Sequence, residues 1–88
     1  MSWDYSFDRR ALRELRQMGG DMSSRIIRYL DERIKGQDDP RKFGKPLRHD
    51  LIGLWVYRVG NARVVCSIKD EEVLVLVVRV GFRGDVYD

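Results

Sequence analysis

The 88-residue chain holds one histidine, His49, and one cysteine, Cys66, so the side chains behind most nucleophilic and metal chemistry are nearly absent. No Ser-His-Asp or Cys-His set is convincing when the histidine lies in a loop-like stretch and the cysteine in an apolar run. One cysteine excludes an internal disulfide and a cysteine-based zinc site, and one histidine excludes a His-rich centre. No Gly-rich phosphate loop precedes a helix. Asp70, Glu71 and Glu72 read as a solvated turn rather than a paired-carboxylate site. No metal or cofactor is expected. What the chain has in quantity is arginine, thirteen of its seventeen basic residues. A guanidinium offers a planar fork of donors that fits phosphate, where a surface tuned only for solubility would manage with lysine. Phosphate recognition and genomic base composition explain the bias equally well.

The cations gather around one sheet edge. In the apolar run Ala62 to Ile68, the two-residue repeat of a strand puts Arg63, Val65 and Ser67 on one face, opposite Ala62, Val64, Cys66 and Ile68. Arg83 and Tyr87 follow the next strand and can return over the Arg63 face. Arg58 and the loop residues Lys42, Lys45, Arg48 and His49 can border it. Converging guanidinium groups hold phosphate oxygens through paired hydrogen bonds and stabilise charge that grows in a transition state. Metal-free RNA cleavage needs little more: a 2′-hydroxyl attacks the adjacent phosphate, a base takes its proton, and an acid protects the leaving 5′-oxygen. Each residue also has an ordinary reading. Arg63 can be a solvated charge beside a turn, Arg83 a surface residue, Tyr87 a ring on the core edge and His49 a plain loop histidine. The first helix's arginines can form a wet face or a secondary RNA-contacting patch.

The elements that must position these residues follow from patterning. Trp3, Tyr5 and Phe7 alternate with polar residues as a short strand does. Asp8 stands as an N-cap ahead of a helix whose inner face holds Ala11, Leu12, Leu15 and Met18. Gly19-Gly20 stops that helix, and a second runs from near Asp21 to Gly36 with Met22, Ile26, Tyr29/Leu30 and Ile34 at helical spacing. From Gln37 to Asp50 the periodicity disappears, leaving a basic loop. Leu54–Val59 and Ala62–Ile68 read as a hairpin about Gly60-Asn61, both of which tolerate positive φ. Val73–Val80 reads as a central strand buried on both faces, followed by a polar tail. The pattern is β-α-α-β-β-β: an α+β fold with a helical hairpin packed on a largely antiparallel sheet.

The chain is too short for two domains, so residues 1–88 read as one. The formal charge of +3 does not by itself establish nucleic-acid binding. No run approaches the roughly 18 apolar residues of a membrane span, and the N-terminus lacks a signal-peptide core, so a cytoplasmic domain is expected and no membrane partner. Cys66, within an apolar strand, reads as a buried inert thiol.

Taken together, these residues resemble the RelE family, toxins of type II toxin–antitoxin systems within the RelE/ParE superfamily. The resemblance spans nearly the whole chain. It is carried by the run from Phe7 to Leu15, by Gly44-Lys45-Pro46-Leu47, by the run from Gly53 to Arg63, and by Val80-Gly81-Phe82-Arg83 leading to Asp85-Val86-Tyr87. It implies a ribosome-dependent endoribonuclease that cuts messenger RNA in the ribosomal A site. The family's site residues fall on Arg63, which would hold the scissile phosphate, on Arg83, which would assist charge stabilisation, and on Tyr87, which would orient or deprotonate the 2′-hydroxyl or stack on a base. A small antitoxin would be the neutralising partner, and operator DNA would be reached only through it. Two departures stand out. Relatives carry lysines where this chain has Leu54 and Val56, and often arginine at Val56 and histidine or lysine at Phe82. The alternatives are a ParE-like inhibitor of DNA gyrase on the same fold, whose relatives generally lack the Arg63, Arg83 and Tyr87 set, and a catalytically attenuated relative.

Overall fold

The computed structural model of the chain describes residues 2–47 and 53–82. The elements are β1 (Asp4–Phe7), α1 (Arg9–Gln17), α2 (Gly20–Arg33), β2 (Lys45–Pro46), β3 (Leu54–Val59), β4 (Ala62–Lys69) and β5 (Leu74–Phe82). Short 3-10 turns occupy Pro40–Lys42 and Asp70–Glu72. Asp8 caps α1 as its position foretells, its carboxylate accepting the Ala11 amide at 2.8 Å, a contact worth about 1 kcal/mol. Gly19, at φ +90°, turns the chain from α1 into α2.

The sheet order is β1-β5-β4-β3-β2. β1 runs parallel to β5 and every other neighbouring pair is antiparallel. The expected α+β architecture is therefore present. Both helices lie on one face, α1 over β5 and α2 against β3. Their buried stripes (Ala11 and Leu15, then Ile26, Leu30 and Ile34) meet Tyr57, Val59, Ala62, Val64, Cys66, Val75, Val77 and Val80 in one core. On the opposite face a smaller cluster joins Leu47, Val56 and Val65, with Leu54 and Val78 against it.

Several expectations need correction. The stretch read as an irregular basic loop contains β2, whose Lys45 pairs with Val56 and Pro46 with Trp55; two residues are too few to leave a periodic trace. Leu12 is 36% exposed and lines the groove between α1 and α2 rather than the core. In the hairpin turn only Gly60 has positive φ, the sign pattern of a type II′ turn, which needs glycine at its first central position alone. The last strand begins at Leu74, because Val73 adopts the left-handed conformation (φ 53°, ψ 45°) that closes the preceding 3-10 turn. That strand is interior but not central, and only one of its faces is fully buried. Val75 and Val77 are inaccessible, whereas Leu76 and Val78 are half-buried on the face without helices.

A β-bulge in β5 sets which residues face which layer. Val65 pairs with Arg79 but Cys66 with Val77, leaving Val78 as the extra residue. A bulge interrupts the ladder locally, and Glu14 of α1 fills the gap, accepting from the Val80 amide at 2.8 Å and from Arg79 Nε at 3.0 Å. Beyond the bulge the alternation is shifted by one residue. Val80 thus turns inward, and Gly81 comes opposite Arg63.

Candidate nucleic-acid interface

Arg63 lies on β4 with Val65 and Ser67, as the alternation requires, on the sheet face away from the helices. Its cross-strand partner on β3 is Arg58, and on β5 it is Gly81. Two arginines directly opposite one another oppose folding, since like charges at that position repel. Glycine on the other side leaves the space beside Arg63 without a side chain. Arg58, Gly60, Asn61, Ala62 and Arg63 line a cavity of about 150 Å³ at this end of the hairpin. Guanidinium groups on such a cavity can hold an anion through charge-assisted hydrogen bonds.

A second cavity of about 250 Å³ opens at the edge of β3 and is lined by Tyr29, Phe43, Gly44, Lys45, Val56 and Arg58. Arg58 lines both. Lys45, opposite Val56, lies on the same sheet face as Arg58 and Arg63. The loop that supplies this second wall is pinned from beneath: the Tyr57 hydroxyl donates to the Pro40 carbonyl at 2.6 Å, and Trp55 Nε1 donates to the Phe43 carbonyl at 2.8 Å. Gly44 fits between them with φ +76°, where an added Cβ would stand 2.5 Å from the Val56 carbonyl oxygen. The Arg33 guanidinium lies 5.0 Å from the centroids of both the Tyr29 and Phe43 rings, bracing them through cation–π attraction.

Of the sequence-identified residues, the structure brings together Arg58, Arg63 and Lys45. Lys42 ends the 3-10 turn Pro40–Lys42, is exposed, and lines neither cavity. Arg48, His49, Arg83 and Tyr87 lie outside the described residues. Arg41 of the basic loop is committed elsewhere. Its two terminal nitrogens grip Asp70 at 2.9 and 2.8 Å, tying the loop to the β4–β5 turn, and the hydrogen bonds from that guanidinium hold the Asp70 carboxyl below its usual range. Leu54 and Val56, where the resemblance implies cations, instead belong to the small apolar cluster on the open face. Phe82 pairs with Ala62 and shares its helix-facing side.

No described tyrosine offers a phenolate. Tyr5, Tyr29 and Tyr57 are all pushed up, burial being the first cause in each, with Arg33 only partly opposing it at Tyr29. Burial also pushes the Cys66 thiol up, in keeping with an inert core sulfur. Residues the sequence reading passed over are Tyr29, Arg33 and Phe43. Tyr29 and Arg33 stand four apart on α2, a spacing that makes the two side chains neighbours; Phe43 has no local signal.

A family model for the ParE toxin of type II toxin–antitoxin systems matches residues 5–87. The chain is 29% identical over 87 residues to Toxin RelG of Mycobacterium tuberculosis, covering 99% of this chain and 98% of RelG. It is 30% identical over 77 residues to Toxin RelE of the same organism, covering 88% of this chain and 77% of that toxin. The chain belongs to the RelE/ParE family of type II toxins. Among solved structures, the RelBE2 toxin–antitoxin complex of M. tuberculosis superposes with a TM-score of 0.80 at 27% identity, covering 97% of this chain and 95% of that one. The isolated RelE toxin of E. coli does so at 0.71 and 28% identity, covering 98% and 92%. The layered fold seen here is the family's fold.

Proposed function

We propose that this toxin-family member is an endoribonuclease that cleaves messenger RNA on the ribosome, in the cytoplasm, by metal-independent attack of a 2′-hydroxyl on the neighbouring phosphate. The observation that carries the reading is the cross-strand pair of Arg58 and Arg63 with Gly81 beside them. It concentrates positive charge at one place on the sheet and leaves room there for a phosphodiester. Arg63 holds the scissile phosphate and the charge that develops on it, and Arg58 with Lys45 guides the flanking backbone. Arg83 and Tyr87 follow shortly after Gly81 and Phe82 in the chain. In this reading Arg83 adds charge stabilisation, and Tyr87 orients or deprotonates the 2′-hydroxyl. Arg48, His49 and Lys42 contribute further RNA contacts.

The same reading includes a neutralising antitoxin, because the solved M. tuberculosis relative is a toxin–antitoxin complex. Between α1 and α2 a groove of about 670 Å³ is lined by Leu12, Leu15 and Ile27 together with Arg16, Arg28, Asp31 and Glu32. An amphipathic helix or extended segment of a partner would cover that apolar strip. Operator DNA would be bound by the antitoxin.

The test is a reconstituted translation reaction in which 5′ ends of the message are mapped after adding the purified chain. Cuts within the translated frame are expected. Arg63→Ala should reduce their rate by roughly 100-fold or more, the usual loss when one charge-stabilising donor is removed, with an unchanged circular dichroism spectrum. Absence of cuts by the native chain, or gyrase-linked breaks in plasmid DNA instead, would overturn the reading.

A further inference from the structure

The cavity at the β3 edge is chemically unlike a simple phosphate pocket. It is lined by Tyr29, Phe43, Gly44 and Val56, with Lys45 and Arg58 completing the lining. Arg58 connects it to the hairpin-end cavity that also contains Arg63. β2 pairs with β3 only at Trp55 and Val56, so the cavity lies where the edge of β3 beyond Val56 is left uncovered by β2.

We infer that this cavity is a nucleobase subsite, taking the base of a single-stranded nucleotide that flanks the phosphate held at Arg63. The inference rests on the RNA-cleaving reading above and adds to it a place where the substrate's base is held. Two aromatic residues in the lining call for a flat, largely apolar ligand, and the two cations beside them call for an anion attached to it. A nucleotide has both parts in that arrangement. Base–aromatic stacking alongside a cationic backbone track is the general solution for single-stranded nucleic acid, and it tolerates different bases because all have a π-face. The Arg33 guanidinium, braced against both rings, adds positive charge beside the slot. The Tyr29 phenol, kept protonated by burial, remains a hydrogen-bond donor.

The test uses short 2′-O-methyl oligonucleotides, which cannot be cleaved, in versions that carry a single abasic residue at each position in turn. Binding to the purified chain is read by fluorescence anisotropy. One abasic position should weaken binding by roughly 5- to 10-fold, a loss at the lower end of the stacking range. Phe43→Leu preserves the backbone carbonyl that anchors Trp55 and keeps an apolar side chain. It should bring intact RNA down to the abasic affinity while leaving the abasic RNA within about 2-fold of its native value. Lys45→Gln should weaken both RNAs equally and reduce the salt dependence, as loss of a phosphate contact does. Equal binding of every abasic version by the native chain, or an equal loss on both RNAs from Phe43→Leu, would overturn the subsite. Cleavage by the native chain and its loss in Arg63→Ala are measured separately, so either conclusion can fail while the other stands.

Discussion

Gly44 gives the sharpest test of how the interface is assembled. Replacing it with alanine meets two separate obstacles. The first is conformational: φ is +76°, a left-handed geometry that costs an L-residue about 1–2 kcal/mol, offset by about 0.4–1 kcal/mol from the stiffer unfolded chain. The second is steric. The new Cβ would lie 2.5 Å from the Val56 carbonyl oxygen, 2.7 Å from Trp55 Nε1 and 2.8 Å from a ring carbon of Tyr57. The oxygen belongs to a strand backbone and the two side-chain atoms to rings held in place, so the loop must lift by most of an ångström. That movement overpacks the site, typically at about 1–3 kcal/mol, and stretches the 2.8 Å bond from Trp55 to the Phe43 carbonyl. About 3 kcal/mol of lost stability is expected, a fall in Tm of roughly 12–24 °C for a domain of this size. Gly36→Ala is the control, because Gly36 has nearly the same φ of +78° but nothing within 4 Å of an added Cβ. It should lose no more than about 1–2 kcal/mol. Urea titration of both variants reads the difference directly. Equal midpoints for the two would refute the claim that Gly44 is held by close contact with β3 rather than by backbone conformation alone.

Two further expectations concern the core. Glu14→Ala removes the acceptor at the β5 bulge from the Val80 amide and the Arg79 guanidinium, so denaturant unfolding should show a loss of about 2–3 kcal/mol; a change below about 0.5 kcal/mol would mean that the bulge holds without it. Alkaline conditions should destabilise the fold, because burial raises the Cys66 thiol and the Tyr5, Tyr29 and Tyr57 phenols. These groups stay protonated when folded, so stability is full below their unfolded values and falls once the unfolded chain begins to lose protons, near about pH 8.5 for the thiol and about pH 10 for the phenols. Cys66→Ala should flatten the first part of that fall and leave the second, as thermal melts from pH 7 to 10.5 would record; an identical slope in the variant would contradict the assignment to the thiol.

Much of the fold was legible because its signals are local. Asp8 ahead of helix formers, the Gly19-Gly20 break, the apolar spacing of Ile26, Leu30 and Ile34, and Gly60 between two alternating runs each depend on a few adjacent residues, and each appears where patterning placed it. The errors fall where the deciding partner is distant. Leu12 has the right period for the core but lies over the groove between helices. Lys45-Pro46 forms a strand only because Trp55 and Val56 are there to pair with it. Arg41 reads as one more loop cation, yet its partner Asp70 is 29 residues away. The shared face of Arg63, Val65 and Ser67 followed from strand alternation alone, whereas Arg58, expected only to border it, stands directly opposite Arg63.

Local patterning therefore determined which residues are helical, which are extended and on which face of β4 Arg63 stands, since side-chain periodicity and capping act over one or two turns of chain. Tertiary structure alone decided what stands beside Arg63 on the β5 side. The bulge at Val78 shifts the alternation of β5 by one residue, turning Val80 inward and bringing Gly81 opposite the arginine. It is stabilised by Glu14, a side chain more than sixty residues earlier in the chain. The aromatic slot likewise needs Tyr29, Phe43 and Val56 from three separate segments. Register, bulge and slot all depend on groups that become neighbours only when the helices settle on the sheet.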